Sequence, residues 1–576
     1  MNIAFVKYGG LCSGGTERFL QTLSVTLKEH EFNVDYYYCD ACPYLGSDYV
    51  HPTTDVTIKK YLEDNDVNLI KFSVEYKDVR THTHEWVNTN FWDLFDENKY
   101  DVVITGRAGH QEYPYYKMNN VPLINILTLN AGVDNQNNNF RNIHLSNWSG
   151  QRWIESGGDP SRLDILGIIQ KLPDIKTNFR KKYNLNKKFV YGFHQRDSEH
   201  ISSTIPIEAY AKIESDDTAF IMMGGSNVHL KKAEELKLKN FYHIPHSGDV
   251  KIIHKFLNTI DVFSHGRKDG ETFGAVFVEA MYHSKPCLSH TAESNGHIEV
   301  IGDCGKVVSE NDVDTYAKEM LNLKNDPIYY KELSLKARNR YDTLYSYKIN
   351  INKFLNIIKD MRMIDNLRSL NVKAKNILDI GAHFGEFAKS INYLFPESYI
   401  LMIEGNDRCE STLKDLPFDY CIALLSDTNK KVNFYMNKNN LTCTGCSYYK
   451  ENTEGYDDAV VEKKETFTLD EVVSTTDKEF DFIKLDTQGS ELDILKGGTD
   501  TLKKSNYVLI ECSVIKEKLY NKGSYHVDDI IEFMKEKGFS TYYVVDEHAF
   551  AGTESKIYDF GEIFQRDYLF VSDNLK

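Results

Sequence analysis

The segment ILDIGAHFGEFAKSI, residues 377–391, combines a strand, a glycine turn and the start of a helix. Asp379 ends the strand, and Gly381 and Gly385 are spaced G-x-x-x-G, which differs from the dinucleotide fingerprint G-x-G-x-x-G. A strand that passes through glycines into a helix is the opening unit of a Rossmann-like fold. We therefore expect a parallel sheet here, with its ligand at the carboxyl ends of the strands.

Short apolar runs alternate with helical stretches on both sides of this segment. Runs rich in Val, Ile and Leu are typical of parallel strands that are buried on both faces. They predict an α/β protein with three Rossmann-like units, two before residue 350 and one after about residue 370. The other runs are IAFVKY (3–8), DVVITG (101–106), PLINIL (122–127), FVYGFH (189–194), TAFIMMG (218–224), YILMIE (399–404), FDFIKLD (480–486) and YVLIEC (507–512).

Residues 325–370 have a helical pattern without a strand signal, so they contain the main predicted boundary. A softer boundary is expected near residues 165–185. The predicted domains are an N-terminal lobe (1–170), a second lobe (171–350), a helical connector (351–370) and a third unit (371–576).

Composition and charge exclude some classes of function. The 576 residues carry 68 Lys and Arg against 85 Asp and Glu, a formal net charge of −17. This balance disfavours a protein that binds the nucleic-acid backbone. No apolar run approaches the roughly 20 residues that span a bilayer, and the N-terminus lacks the pattern of a signal peptide. We expect a cytoplasmic protein with reduced cysteines and no integral membrane segment.

Two glutamates lie close together in DGETFGAVFVEAMYHSKPCLSH, residues 269–290. Glu271 falls in a polar loop and Glu279 on the first turns of a helix. We expect both carboxylates to face one cleft and to accept hydrogen bonds from vicinal hydroxyls of a sugar or a ribose. The alternative is a pair of solvated glutamates on an amphipathic helix. Upstream, Gly14 and Gly15 form a strand-to-helix turn, where backbone N–H groups can approach a phosphate.

Three of these segments resemble family-4 glycosyltransferases of the two-lobed GT-B fold: GGTERFLQTLSVTLKEHEFNV (14–34), ETFGAVFVEAMYHSKPCL (271–288) and GHIEVIGDCGKVV (296–308). The resemblance covers about residues 1–350. It implies retaining, metal-independent transfer from a UDP- or GDP-linked sugar to a carbohydrate acceptor. By the same resemblance Glu271 contacts the donor sugar, Glu279 the ribose and Arg196 the diphosphate, while Gly14 and Gly15 face the donor.

The sequence also departs from this family. The family places a Lys shortly after the Arg, but residues 197–201 contain none, and Lys268 is a possible substitute. The family's His after an N-terminal strand is replaced by Asn130, with His110 as another candidate. Because this Lys and this His are missing, the alternative that the two lobes bind glycans without catalysis stays open.

In the third unit, Glu404 ends the strand YILMIE, where an acid can hold the ribose of NAD or of S-adenosylmethionine. The long block FDFIKLDTQGSELDILKGG (480–498) resembles the signature of FkbM-type methyltransferases, and the likeness spans about residues 370–576. It implies a class I Rossmann methyltransferase that uses S-adenosylmethionine to methylate a hydroxyl, often on a sugar or polyketide.

That resemblance assigns roles along the unit. Asp379, Gly381 and Gly385 shape the cofactor site, Glu404 holds the ribose, and Asp427 lies near the adenine. Asp486 ends a strand and is our candidate to orient or deprotonate the acceptor hydroxyl.

The acidic pair of the family is incomplete, because Gln488 stands where a Glu is usual. Glu491 or His383 are possible replacements. Two further motifs are interpreted as structural. Asp312-x-Asp314 is predicted to begin a helix rather than to bind a metal, and we expect no metal cofactor. The pairs Cys39-x-x-Cys42 and Cys443-x-x-Cys446 are interpreted as incidental thiols.

The sequence thus predicts a bifunctional enzyme that glycosylates and then O-methylates, with both reactions on one glycan. One alternative is a methyltransferase whose GT-B module binds glycans without catalysis. A second makes the last unit a nicotinamide dehydrogenase.

Overall fold

A computed structural model describes residues 1–129, 132–514, 520, 525–549 and 563–575. These residues form two compact units, one of residues 1–159 and 163–355 and the other of residues 160–162 and 356–576. The first unit holds two large parallel sheets, and the second holds one large mixed sheet and a smaller three-stranded sheet. The predicted α/β class with three Rossmann-like sheets is confirmed, and the first unit has the two lobes that the GT-B resemblance implies.

The first lobe is built around parallel strands whose central members are buried along almost their whole length. Strands β1, β6 and β7 expose almost nothing because helices cover both faces of the sheet. The elements are β1 Asn2–Val6, α1 Gly15–Glu29, β2 Asn33–Tyr38, α2 Val56–Asp64, β3 Asn68–Lys71, β4 Tyr76–Asp78, β5 Glu85–Val87, α3 Phe91–Leu94, β6 Val102–Gly106, β7 Leu123–Leu127, β8 Asn139–His144, α4 Asn147–Glu155 and β9 Leu163–Ile165. The sheet order is β3-β2-β1-β6-β7-β8-β9, and β4 pairs with β5 separately.

The second lobe repeats this plan with a parallel sheet in the order β12-β11-β10-β13-β15-β17, beside which β14 pairs with β16. Its strands are β10 Phe189–Gln195, β11 Thr218–Gly224, β12 Phe241–Ile244, β13 Val262–Ser264, β14 Gly270–Glu271, β15 Cys287–His290, β16 Ser294–Asn295 and β17 Gly305–Val308. Its helices are α5 Ile205–Ala211, α6 Asn227–Glu235, α7 Val250–Leu257, α8 Ala275–Tyr282, α9 Gly296–Ile301, α10 Val313–Asn325 and α11 Pro327–Arg340. Asp312 caps α10 by accepting from Thr315 N at 2.9 Å, so its predicted structural role is confirmed.

Helix α12, Tyr347–Ser369, leads into the third sheet. The strands that follow are β18 Asn376–Ile380, β19 Tyr399–Glu404, β20 Asp419–Ile422, β21 Leu424–Leu425, β22 Lys431–Met436, β23 Val460–Phe467, β24 Phe482–Leu485, β25 Tyr507–Ser513, β26 Thr541–Ala549 and β27 Ile563–Val571. The helices are α13 Glu386–Leu394, α14 Glu410–Leu413, α15 Leu469–Ser474, α16 Glu491–Lys496, α17 Thr499–Leu502 and α18 Val527–Glu536. Within the described residues, no helix has the length and apolar character needed to cross a bilayer.

The third sheet has the order β20-β19-β18-β24-β25-β27-β26. Strand β27 runs antiparallel to both of its neighbours, while the other pairs are parallel. A dinucleotide-binding sheet instead has the simple parallel order 3-2-1-4-5-6. The topology of this unit therefore departs from that of a nicotinamide dehydrogenase.

A carboxylic acid is buried in the middle of the third sheet. Asp379 on β18 lies opposite Lys484 on β24 and is 0% exposed. Neither of its carboxyl oxygens has a hydrogen-bond partner among the described residues. Burial raises the pKa of Asp379 to about 7, because nearby Asp486 and Glu386 add to the effect and Lys484 only partly opposes it.

This burial makes stability depend on pH. Between about pH 4 and pH 7 the folded chain retains a proton on Asp379 that the unfolded chain has released, so stability falls as pH rises through this range. Asp379→Asn removes that proton exchange. We measure the unfolding midpoints of the full-length variant and of the full-length wild type at pH 5 and at pH 8. We expect the difference between variant and wild type to favour the variant more at pH 8 than at pH 5. Exposed Asp477→Asn is the matched control, and an Asp379→Asn offset that is equal at both pH values would contradict the expectation.

Candidate active sites

A cavity of about 180 Å³ in the first unit brings together residues from both of its lobes. Most of them lie at or beyond the carboxyl ends of strands β1, β9, β10, β11 and β12, which is where parallel sheets bind ligands. Its lining consists of Ser13, Gly15, Arg18, Ile168, Gln170, His194, Gln195, Arg196, Met223, His246, Ser247, Gly248, Ile253, Ala275, Val276 and Glu279. We call this space the first cavity.

Two helices begin at the first cavity without a side-chain cap. Helix α1 begins at Gly15, and α8 begins at Ala275 after Gly274, which has a φ of 85°. A Cβ on Gly15 would meet no atom within 4 Å. The backbone N–H groups of a helix start have no partner within the helix and carry partial positive charge. Both helix starts therefore favour an anion in the cavity.

Two arginines add full positive charge. Arg196 is exposed at the end of β10, and Arg18 reaches from the first turn of α1 to donate to Gly248 O at 3.0 Å. Neither has an ion-pair partner within the described part of the chain. Sequence reasoning predicted Arg196 and missed Arg18. The available signal was its position, three residues beyond Gly15 on the same helix.

Glu279 is the carboxylate of the first cavity. It lies on α8, is 5% exposed, and places Oε2 3.0 Å from His194 Nε2. Burial alone would raise the pKa of Glu279, but His194 and Arg18 lower it overall. The side chain is therefore an ionised acceptor suited to hydroxyl groups, which fits its predicted contact with a ribose.

Glu271 takes a different position. It lies on β14, outside the lining of the first cavity, with Oε1 3.1 Å from Arg267 Nη1. Burial raises the pKa of Glu271, and Arg267 opposes this shift. Arg267 was not singled out from the sequence, whereas Lys268 was, yet Lys268 is exposed and does not line the cavity.

The remaining candidates of the first unit also lie outside the cavity lining. Gly14 is the N-cap residue of α1 and precedes the first helical residue, Gly15. His110 packs against His84, with ring centroids 4.2 Å apart. Asn130 lies outside the described residues.

A second cavity, of about 70 Å³, lies in the second unit at the carboxyl ends of β18, β19 and β24. Its lining consists of Ile380, Gly381, His383, Ile403, Glu404, Gly405, Asn406, Cys409, Ala423, Leu424, Leu425, Phe434, Cys443, Thr444, Cys446, Ser447, Asp486, Thr487, Gln488, Ser490 and Ile494. Of the predicted cofactor residues, Gly381 and Glu404 belong to this lining. Gly385 caps α13, Asp427 pairs with Lys430 at 2.6 Å, and Asp379 is buried behind the cavity.

Glu404 is held in place by two backbone groups. His383 N donates to its Oε2 and Asn406 N donates to its Oε1, each at 2.7 Å. Burial raises the pKa of Glu404, while these hydrogen bonds oppose the shift. The turn depends on Gly381, whose φ is 79° and whose Cβ would lie 2.0 Å from Asp486 O. Any larger residue would force the two strand ends apart.

Asp486 is fixed by two donors. Gln488 Nε2 lies 2.7 Å from Oδ1, and Lys484 Nζ lies 3.0 Å from Oδ2. Burial would raise the pKa of Asp486, but Lys484 holds it far below its usual range. A carboxylate with so low a pKa is a weak base. Of the two predicted roles, the geometry favours orienting a hydroxyl over deprotonating it.

Glu511 on β25 is an acid within YVLIEC to which sequence reasoning assigned no role. The same Gln488 Nε2 that binds Asp486 lies 2.9 Å from Glu511 Oε2, and Gln565 Nε2 lies 3.0 Å from that oxygen. Burial raises the pKa of Glu511 well above its usual value, and Asp486 and Asp567 add to the shift. Asp486 and Glu511 therefore form an acidic pair bridged by Gln488, in which the pKa of Asp486 is lowered and that of Glu511 is raised. The signal in the sequence was an acid late in a strand next to the one that Asp486 follows.

Glu511, His548 and Asp567 bring three atoms of the metal-binding type within 4.8 Å of one another. His548 Nε2 lies 2.9 Å from Asp567 Oδ2, and Lys359 Nζ contacts His548 Nδ1. A lysine can only donate to that nitrogen, so Nε2 carries the proton that Asp567 accepts. The arrangement is satisfied as a chain of hydrogen bonds.

The two substitute bases have other partners. His383 Nε2 lies 2.6 Å from Thr442 O and Nδ1 lies 3.3 Å from Glu386, so both nitrogens face acceptors. Burial lowers the pKa of His383, but Glu386 raises it overall to about 9, so the ring is charged at neutral pH. Glu491 accepts from Thr487 N at 2.9 Å and from Gly489 N at 3.1 Å and braces that turn.

Comparisons with known proteins match a different family model to each of the two units. The family model described as glycosyl transferases group 1 matches residues 175–340. The model described as methyltransferase FkbM domain matches residues 379–541. No curated protein matches the sequence.

Solved glycosyltransferase structures resemble part of the chain at low identity. A glycosyltransferase from Rickettsia africae is 15% identical, with 62% of this chain and 98% of that chain covered and a TM-score of 0.48. HepE from Anabaena, in complex with UDP, is 15% identical over 62% and 100%, with a TM-score of 0.47. Sucrose-phosphate synthase from Thermosynechococcus elongatus is 13% identical over 63% and 99%, with a TM-score of 0.47.

The two family matches contain the strand ends and helices on which most of both cavities is built. They also confirm the two resemblances at the level of domains. The chain is therefore an enzyme that joins a group 1 glycosyltransferase domain to an FkbM methyltransferase domain.

Proposed function

We propose that the first cavity binds a nucleotide-sugar donor and that the first unit transfers its sugar, with retention of configuration, to a carbohydrate. One observation carries this assignment. Two uncapped helix starts and two arginines, neither with an ion-pair partner among the described residues, converge on a cavity whose carboxylate is Glu279. This combination suits a diphosphate flanked by a ribose.

The chemistry of transfer depends on the leaving group. As the bond to the sugar breaks, negative charge develops on the diphosphate, and fixed positive groups stabilise it. In the proposal Arg196, Arg18 and the starts of α1 and α8 supply that charge without a metal. Glu279 holds the ribose. Glu271 contacts the sugar only after exchanging its ion pair with Arg267.

This arrangement favours an active glycosyltransferase over the glycan-binding alternative. The alternative rested on the Lys that the sequence lacks after Arg196. Arg18 brings a second cation to the same cavity from the other lobe. The positive charge is therefore supplied by a different part of the chain.

For the second unit, we propose S-adenosylmethionine as the cofactor and a hydroxyl, on the sugar just transferred or next to it, as the acceptor. The residues fit this cofactor, because Glu404 presents a braced carboxylate to a ribose in a cavity that the glycine turn at Gly381 also lines. When bound, S-adenosylmethionine supplies an electrophilic methyl group. Asp486, which lines the cavity, orients the acceptor hydroxyl toward that methyl group.

The donor site is tested by calorimetric titration of the full chain with UDP and with GDP. We expect one of them to bind at micromolar concentration. Arg196→Ala and Arg18→Ala each remove a charge-assisted contact to phosphate, worth about 1.5–3 kcal/mol, and lower its affinity about 10- to 100-fold. The affinity for the free nucleoside, which lacks phosphate, should change little in these two variants. Arg152→Ala, on α4 and outside the cavity, is the control. A folded chain that binds neither nucleotide would favour the glycan-binding alternative.

The cofactor site is tested with S-adenosylhomocysteine and NAD. We expect S-adenosylhomocysteine to bind and NAD not to. Glu404→Gln replaces one charged acceptor by an amide oxygen, so its affinity should fall about tenfold. Exposed Glu397→Gln should leave the affinity unchanged. Preferential binding of NAD would restore the dehydrogenase alternative.

Coupling of the two reactions predicts an order. The glycosylated product should be methylated more efficiently than the unglycosylated acceptor, by about tenfold in kcat/KM, since it carries the sugar that the second unit recognises. Transfer of labelled methyl groups to the two acceptors measures this ratio. Equal rates would separate the two activities.

A further inference from the structure

Three cysteines belong to the lining of the second cavity, and two of them, Cys443 and Cys446, form a close pair. Cys443 Sγ lies 3.7 Å from Cys446 Sγ, at the two ends of a turn in which Cys446 N donates to Cys443 O at 3.3 Å. Both side chains are half-buried and both thiols are free. The other C-x-x-C pair differs, because Cys39 is 0% and Cys42 5% exposed in the core of the first lobe. The pair at the cavity is therefore the accessible one.

The turn that carries these thiols is joined to the carboxylate that we assign to the cofactor ribose. His383 Nε2 donates to Thr442 O at 2.6 Å, and Asn406 Nδ2 donates to Leu441 O at 2.8 Å. The backbone N–H groups of the same His383 and Asn406 hold the two oxygens of Glu404. A displacement of residues 441–446 is thus transmitted to Glu404 through two residues.

Cys443 is prepared for thiol chemistry. Tyr456 Oη lies 3.1 Å from its sulfur. The hydrogen bond with Cys446 lowers the pKa of Cys443 to about 5, and Tyr456 contributes to the shift. The thiolate is the reactive form of cysteine, so at neutral pH Cys443 is a nucleophile with a second thiol within contact distance.

We propose that Cys443 and Cys446 are a modification site, at which a small-molecule disulfide converts the two thiols into an intramolecular disulfide that weakens cofactor binding. The Cys443 thiolate attacks one sulfur of the small disulfide and releases one small thiol. Cys446 then loses its proton and displaces the second small thiol from the mixed disulfide. The protein pair is oxidised by two electrons, and the small disulfide is reduced to two thiols.

Forming the bond requires the sulfurs to approach from 3.7 Å to about 2.05 Å. The turn tightens, and the carbonyls of Leu441 and Thr442 move with it. His383 and Asn406 cannot keep both these carbonyls and Glu404 in their present geometry. We expect the affinity for S-adenosylhomocysteine to fall about tenfold. This consequence rests on the proposed cofactor site, whereas formation of the disulfide does not.

The test compares the full-length chain in dithiothreitol with the chain equilibrated with oxidised glutathione. Intact mass reports the loss of two hydrogens, and peptide mapping identifies the linked cysteines. Calorimetry with S-adenosylhomocysteine is then done on both forms. In Cys446→Ser the intramolecular disulfide cannot close. Oxidised glutathione should therefore not change this variant's affinity for S-adenosylhomocysteine in the way that it changes the affinity of the wild type. Cys421→Ser, a half-buried cysteine on β20 outside the cavity lining, should retain the full response.

The outcomes are distinct. A link between Cys443 and Cys446 together with weaker binding, reversed by dithiothreitol, supports the proposal. If millimolar glutathione disulfide leaves both thiols free, the modification site is excluded. A disulfide that forms without changing the affinity overturns its link to the cofactor. A chain that binds no S-adenosylhomocysteine in either form overturns the proposed cofactor instead, and the mass measurement still decides whether the disulfide forms.

Discussion

Burial of parallel strands on both faces is the constraint from which both candidate sites follow. In β1, for example, the side chains of Ile3, Ala4, Phe5 and Val6 are fully buried, because helices cover each face. Most polar and charged groups that face a ligand therefore lie at the strand ends. Parallel strands end at one edge of a sheet, so groups that are distant in the sequence meet there. The arginines, glycine turns and carboxylates of both cavities are gathered in this way.

Much of this organisation can be predicted from the amino-acid sequence. Apolar runs identify the strands, and glycine turns mark where a ligand approaches backbone, so Gly15, Gly381 and Glu404 are predictable from the sequence alone. Glu279 and Arg196 are predictable through motifs, and both line the first cavity. These residues are local signals, because each follows a strand or begins a helix within a few positions.

What the sequence could not supply is pairing between distant residues. Arg18 completes a cavity whose other arginine is Arg196, and only the fold brings two lobes to one space. Glu271 carries the expected motif but faces Arg267, since an ion pair depends on side-chain direction as well as on spacing. His383 has the residue type of a base, but both of its ring nitrogens face acceptors. In each case the role of the side chain depends on which residues lie next to it in the folded chain.

The side-chain amide of Gln488 has a consequence for the charge of the acidic pair. It lies between Asp486 and Glu511 and donates to both. An amide carries no charge at any ordinary pH, so it offers the same hydrogens whether its two neighbours hold one proton or none. A glutamate in this position would instead add a third negative charge and lose the donors. The substitution that looked like a defect in the motif thus keeps a hydrogen bond to each of two neighbouring acids without adding a third charge between them.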